Sequence, residues 1–126
     1  MSCNSLNLSQ EVPFSDILLY QGSQWRKTFK LKDKSGVIVN LTGVSIVGVV
    51  KQTKEGSVIF SFDVSINTTT NEFTMAIDYT DTLAITTLTS NLSDAANQFV
   101  FDWTLTDSLS EQYKIHNGRI LINKKV

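Results

Sequence analysis

The stretch Val58-Ile-Phe-Ser-Phe-Asp-Val-Ser-Ile66 places apolar side chains at 58, 60, 62, 64 and 66, with Ser61, Asp63 and Ser65 between them. Successive side chains of an extended chain point to opposite faces, so this alternation describes a strand with one face on a core and the other in water. Outward from it the same period recurs in Trp25, Phe29 and Leu31, and again in Phe73, Met75, Ile77 and Tyr79. It returns in Phe99, Phe101, Trp103 and Leu105, with Asp102, Thr104 and Thr106 facing away. Turn formers separate these strands: Asp33-Lys34-Ser35-Gly36, Leu41-Thr42-Gly43, Lys54-Glu55-Gly56 and the polar run from Asn67 to Asn71. Such residues tolerate positive φ or cap a turn with their own side chains, so hairpins are expected. Val44 to Gln52 is apolar on both faces at its centre and reads as a central strand covered on both sides, with Gly48 admitting a close neighbour.

Near the C-terminus the phase changes. Tyr113 and Ile115 are apolar at odd positions, Ile120 and Ile122 at even ones. One regular strand cannot bury both pairs, and a β-bulge at Asn117-Gly118 restores the phase. A tight Asn-Gly hairpin is the alternative, but its flanks are short. The expected helix runs from about Asp81 to Leu88, capped by Thr80 and packed through Leu83, Ala84 and Leu88. Residues 1–15, Asn- and Ser-rich with the sole proline Pro13, carry no sustained period and read as a flexible arm before a single domain over 16–126. The expected fold class is all-β: an antiparallel sandwich of about seven strands with one short helix.

At 126 residues, with 41% hydrophobic and 18% charged, the chain suits one globular domain and is neither disordered nor membrane-spanning in composition. No apolar run approaches the ~20 residues that cross a bilayer, and Met1-Ser2-Cys3-Asn4 lacks the charged and apolar regions of a secretory signal. A net charge of −1 gives no broad basic face for nucleic acid. The cluster Arg26, Lys27, Lys30, Lys32 and Lys34 mixes both strand faces and reads as a solvated edge. Cys3 stands alone, so no internal disulfide is expected, which fits synthesis in a reducing cytoplasm.

Catalysis needs converging groups, and few are offered: one histidine, one cysteine, no phosphate loop and no metal-ligand spacing. No cofactor is expected. His116 reads as a surface strand residue, and the candidate carboxylate pairs, Asp78 with Asp81 and Asp102 with Asp107, are explained by turns and alternation. Trp25 and Trp103 share the apolar parity of their strands, which favours core packing over a sugar platform. Asn-x-Ser/Thr triplets at Asn7, Asn40, Asn67 and Asn91 are what an Asn-, Ser- and Thr-rich chain produces by chance.

The segment Ile17-Leu-Leu-Tyr-Gln-Gly-Ser23, followed by Trp25, Thr28-Phe29-Lys30-Leu31, Asp33, Gly36 and Asn40-Leu41-Thr42-Gly43, resembles a family of small bacteriophage tail modules. Tyr113, Gly118, Arg119, Ile120 and Ile122 match the family's closing strand. These modules resemble the N-terminal domain of siphophage upper-baseplate proteins and related domains in tail-fibre adaptors of other phages. The resemblance covers about residues 16–124 and rests on turn and strand residues rather than on a site. It departs at Thr89 to Gln98, where the family has a shorter turn, and no further domain is expected after the sandwich.

The resemblance implies an immunoglobulin-like sandwich without catalytic role. It further implies a virion structural protein of the tail or baseplate that attaches fibres or other tail components through protein contacts. Its partners would be other tail, baseplate or fibre proteins in several copies per virion, with no nucleic acid or membrane. The arm is expected to order only against a partner, with Asn4, Leu6, Leu8, Val12 and Phe14 as contact residues. The alternative is a carbohydrate- or host-surface-binding module using the Thr87 to Asn97 loop and Tyr79 or Tyr113.

Overall fold

A computed structural model of the chain describes Leu8 and residues 14–124. The strands are β1 (Phe14–Tyr20), β2 (Trp25–Phe29), β3 (Ser45–Lys51), β4 (Val58–Ser61), β5 (Asp63–Asn67), β6 (Glu72–Ile77), β7 (Gln98–Thr106) and β8 (Gln112–Asn123). They form a five-stranded sheet in the order β1-β8-β7-β3-β4 and a three-stranded sheet in the order β2-β6-β5. Pairing is antiparallel except between β1 and β8, which run parallel. Two sheets of this order, with the third and seventh strands adjacent in one and the second and sixth in the other, make an immunoglobulin-like sandwich. The expected class holds, with eight strands for about seven and one parallel pair.

The decisive stretch 58–66 is two strands rather than one: β4 belongs to the larger sheet and β5 to the smaller. Phe60, Phe62, Val64 and Ile66 nonetheless all turn inward. A chain crossing between stacked sheets keeps its inner face against the same core, so alternation survives while the pairing partner changes. At the crossing, the Phe62 N–H donates to the Gly48 carbonyl at 2.8 Å.

Trp103, 2% exposed, sits at the centre between the sheets. Its ring meets Phe29 edge-on at 5.1 Å, Phe62 at 5.5 Å and Phe73 at 6.2 Å. These tilted and edge-to-face arrangements suit aromatic quadrupoles. Gly48 is the close approach the sequence suggested: a Cβ there would stand 2.8 Å from both Phe62 and Trp103 and 2.9 Å from Met75. β3 differs from expectation in being covered on one face only, since Val47 is 55% exposed on the outer side.

The bulge is present, two residues before the expected place. Trp103 pairs with His116 and Thr104 with Lys114, which leaves Ile115 as the extra residue. Asn117 and Gly118 stay in register with Asp102 and Phe101. Gly118 serves another purpose: a Cβ on it would fall far inside contact distance of the Ser15 carbonyl, so glycine is what lets β1 lie against β8.

The helix also differs. It is a single turn, α1 (Tyr79–Leu83), preceded by Asp78, and Thr82 rather than Leu83 is buried. The Thr82 hydroxyl accepts from the Gly22 N–H at 2.8 Å and donates to the Tyr79 carbonyl, which ties the helix to the β1–β2 turn. The β-branched run Ile85-Thr86-Thr87 then favours extension, and Ile85 and Leu88 enter the core from it. Ala84, expected in the core with Leu83, is exposed as Leu83 is.

Gly48→Ala is expected to lower unfolding stability by about 1–3 kcal/mol through overpacking. Gly118→Ala should cost at least as much, because backbone rather than a movable side chain blocks the new methyl. Urea denaturation of both variants checks this; an unchanged midpoint for either contradicts the packing described.

Candidate interaction surface

Of the residues expected to contact a partner, Asn4, Leu6 and Val12 lie outside the described residues. The other two separate. Leu8 is partly buried and packs against the core cluster, so it is held by this chain's own sandwich. Phe14 and Ser15, placed in the arm by sequence, open strand β1. The arm reading missed this because pairing with Asn117 and Gly118, about a hundred residues away in sequence, leaves no local period.

β1 is hydrogen-bonded only to β8 among the described residues, so its other edge is open. Ile17 and Leu19 turn into the core, and the alternate positions Phe14, Leu18 and Tyr20 are 63%, 63% and 65% exposed. Strand geometry puts these three on one face, interrupted by Asp16. Asp16 receives two hydrogen bonds from Arg119, at 3.1 and 2.9 Å, which fasten β1 to β8 at that level. Natural edge strands are usually short, charged or bulged. β1 is seven residues long and largely apolar.

Phe14 also borders a hollow of about 360 Å³ on the outer face of the larger sheet. Val49 and Val100 contribute apolar lining, and Lys51, Lys54 and Lys114 supply cationic groups. Lys114 is paired with Asp102 at 3.1 Å. The Asn117 side-chain oxygen, also at this hollow, is buried and has no hydrogen-bond partner among the described residues.

The remaining candidates take structural positions. Arg26, Lys27, Lys30, Lys32 and Lys34 are exposed along β2 and the turn after it, as a solvated edge. Trp25 is partly buried against the core, in the same inward position as Trp103. Asp107 receives the Leu109 and Glu111 N–H groups at 2.9 Å and closes the β7–β8 turn, whereas Asp102 lies on the outer face with Lys114. These two therefore do not converge. Asp78 and Asp81 are close enough to interact, with Asp63 also near. Burial first, then the Asp63 and Asp78 charges, raises the Asp81 carboxyl above its usual value. Among the described residues no three His, Cys, Asp or Glu side chains are placed to hold a metal ion.

His116 is not a plain surface residue. Its ring stacks on Trp103 at 4.7 Å and lies 5.7 Å from Phe101, and Nε2 is 2.7 Å from the Ser15 hydroxyl. The ring thus links the bulge to the start of β1. Burial, and secondarily the Lys27 charge, lowers its pKa from the ordinary 6.5.

The residue that sequence reasoning missed is Asn97, fully buried at the end of a 3₁₀ turn over Ala95–Asn97. Its amide nitrogen donates to the Thr89 and Ile122 carbonyls, both at 2.7 Å, and its oxygen accepts from the Thr89 N–H at 2.9 Å. One side chain therefore folds the long 89–97 loop and pins it to β8. A buried asparagine leaves no periodic signal, so nothing in the sequence distinguishes it from its exposed neighbours.

No family model matches the sequence, and no curated protein matches it. Among solved structures, a mutant of the SrpA adhesin from Streptococcus sanguinis aligns with a TM-score of 0.47 and 14% identity, over 91% of this chain and 56% of that one. This chain thus spans little more than half of that structure. Murine CRIg aligns with a TM-score of 0.41 and 11% identity, over 88% of this chain and 92% of that one. The class, an immunoglobulin-like sandwich, follows from the strand order itself.

Because the fold favours the neutral His116 ring, the unfolded chain binds more protons just below pH 6.5. This contribution is therefore complete above pH 6.5 and declines as the pH falls below it. Thermal melts at pH 7.5 and 5.0 should show a smaller acid-induced drop for His116→Phe than for the unaltered chain. An identical drop would remove His116 from the account.

Proposed function

We propose that this protein is a virion structural component of a bacteriophage tail or baseplate. It acts as a non-enzymatic adaptor that joins fibres or other tail proteins through protein contacts, and it is made in the bacterial cytoplasm. The observation that carries the reading is the apolar edge of β1, unpaired among the described residues, with Phe14 and Leu18 presented to solvent and Phe14 bordering the hollow of the larger sheet. An edge strand offers unpaired backbone groups to which an extended partner segment can add, while its alternate side chains supply selectivity. Exposed aromatic and aliphatic side chains at such a place supply the anchors from which most interface energy comes.

The motifs behind the phage-module resemblance support the same reading, because each performs a task in this sandwich. Tyr20-Gln21-Gly22 ends β1, where the Gln21 N–H donates to the Asn123 carbonyl at 2.8 Å. Asp33 accepts from the Ser35 and Val37 N–H groups and closes the turn that contains Gly36. Gly118-Arg119 supplies both the clearance and the ion pair that hold β1. Residues that build and present an edge strand are what an assembly module needs.

Tail particles purified from infected cells should contain the protein, identified by mass spectrometry beside baseplate or fibre proteins. Leu18→Asp and Phe14→Asp are expected to leave thermal stability within about 0.5 kcal/mol, as exposed sites do, and to reduce incorporation at least about tenfold. If the unaltered protein is missing from tails, the adaptor reading fails. If the variants are incorporated at normal occupancy, β1 is not the joining edge.

A further inference from the structure

Where β1, β8 and the 86–92 loop meet, an open hollow of about 560 Å³ is lined by Tyr20, Gln21, Ser23, Ser90, Asn123 and Lys124. Its composition sets it apart. Tyr20 presents an exposed ring, and Lys124 is the charged member of the lining among the described residues. The side chains of Tyr20, Ser23, Ser90, Asn123 and Lys124 form no hydrogen bond among the described residues, so hydroxyl, amide and ammonium groups all face the hollow uncommitted.

The loops at the opposite end use their polar side chains on themselves. Asp33, Asn40, Asn67 and Asp107 each accept from backbone N–H groups of their own turns. Turn-forming polar residues ordinarily do this, since the backbone is their nearest partner. Uncommitted groups converging beside an aromatic ring are the exception that marks a binding site.

The walls are also fixed before any ligand arrives. The Gln21 amide donates to the Ile85 carbonyl at 2.9 Å, and the Ser23 N–H donates to the Tyr20 carbonyl at 2.9 Å. Asn97 holds Thr89, and with it the segment that carries Ser90, against Ile122 of β8. Such groups lose little freedom on binding, which is the condition for useful affinity at a shallow site.

We infer that this hollow is a carbohydrate subsite that takes one or two pyranose rings of an oligosaccharide. A pyranose has an apolar face of axial C–H bonds that packs on an aromatic ring, and a rim of hydroxyls that both donate and accept. Tyr20 supplies the first complement, and Ser23, Ser90 and Asn123 supply the second. Lys124 adds a preference for a sugar bearing a carboxylate. The site requires no partner protein, so it stands independently of the tail-adaptor reading and shares no test residue with it.

The test applies the full chain to a printed array of neutral, N-acetylated and uronic-acid oligosaccharides, followed by titration of the strongest binder. Tyr20→Ala should weaken that binder at least about tenfold, as loss of an aromatic anchor does, while Tyr20→Phe retains most of the affinity. Ser90→Ala and Asn123→Ala should each weaken it about three- to tenfold. Lys124→Gln should act on acidic sugars and leave neutral ones unchanged. Circular dichroism melts confirm that each variant is folded, and backbone NMR shifts of Gly22, Ser23 and Ser90 report the location in the unaltered chain. Absence of binding to every class overturns the proposal. So does binding that leaves those shifts unmoved or survives Tyr20→Ala in a folded protein.

Discussion

The sandwich depends on one interlock: the Trp103 ring seated over Gly48, ringed by Phe29, Phe62 and Phe73. Two stacked sheets need something at their centre that fixes both spacing and register. Antibody domains join one strand of each sheet there, B and F, by a disulfide, and the equivalent strands of this sandwich are β2 and β7. Here those strands meet through Phe29 and Trp103 at 5.1 Å. A side chain as large as tryptophan fits between sheets only if a facing position gives up its own volume, and Gly48 does so on the neighbouring strand. Burial of these rings supplies apolar area that a cross-link would otherwise have to replace.

Around that centre the two ends of the molecule are built differently. One end closes with turns whose Asp and Asn side chains fold back on their own backbones, so its polar groups are largely spent. The other end is held by two buried polar residues, Thr82 and Asn97, which tie separate loops to the sheets from inside. Asn91, Ser93 and Asp94 also bond within their own loop, but with the loops anchored from inside, Tyr20, Ser23, Ser90 and Asn123 keep side chains that bond to none of the described residues. A rigid base carrying uncommitted groups suits recognition, because little ordering entropy remains to be lost on binding.

The edges divide in the same manner. β2 carries Arg26, Lys27 and the cationic turn after it, and β4 is four residues long, so both resist pairing with another chain. β1 is longer, keeps Phe14, Leu18 and Tyr20 outward and is secured to β8 by Gly118, the Arg119–Asp16 pair and the Ser15–His116 contact. An edge held firmly on one side and, among the described residues, unpaired on the other is a place where a second chain can add without disturbing the fold.

Alternation in the sequence was enough to give the all-β class, the inward set Phe73, Met75, Ile77, Phe99, Phe101, Trp103 and Leu105, the turns, the role of Gly48 and the presence of a bulge near the end. Each of these is a local property, fixed by side-chain period or by the φ and clearance a single residue allows. Which sheet a strand joins is not local, and so residues 58–66 looked like one strand. The bulge falls at Ile115 while Gly118 stays in register beneath β1, and the strand assignment of Phe14 and Ser15 depends on that distant pairing. The stripe on β1, the Asn97 anchor and the hollow beside Tyr20 exist only after β8 returns to lie next to β1. Sequence period reports which way a side chain points, whereas a site is defined by what stands opposite, and that is set by pairing across about a hundred residues of chain.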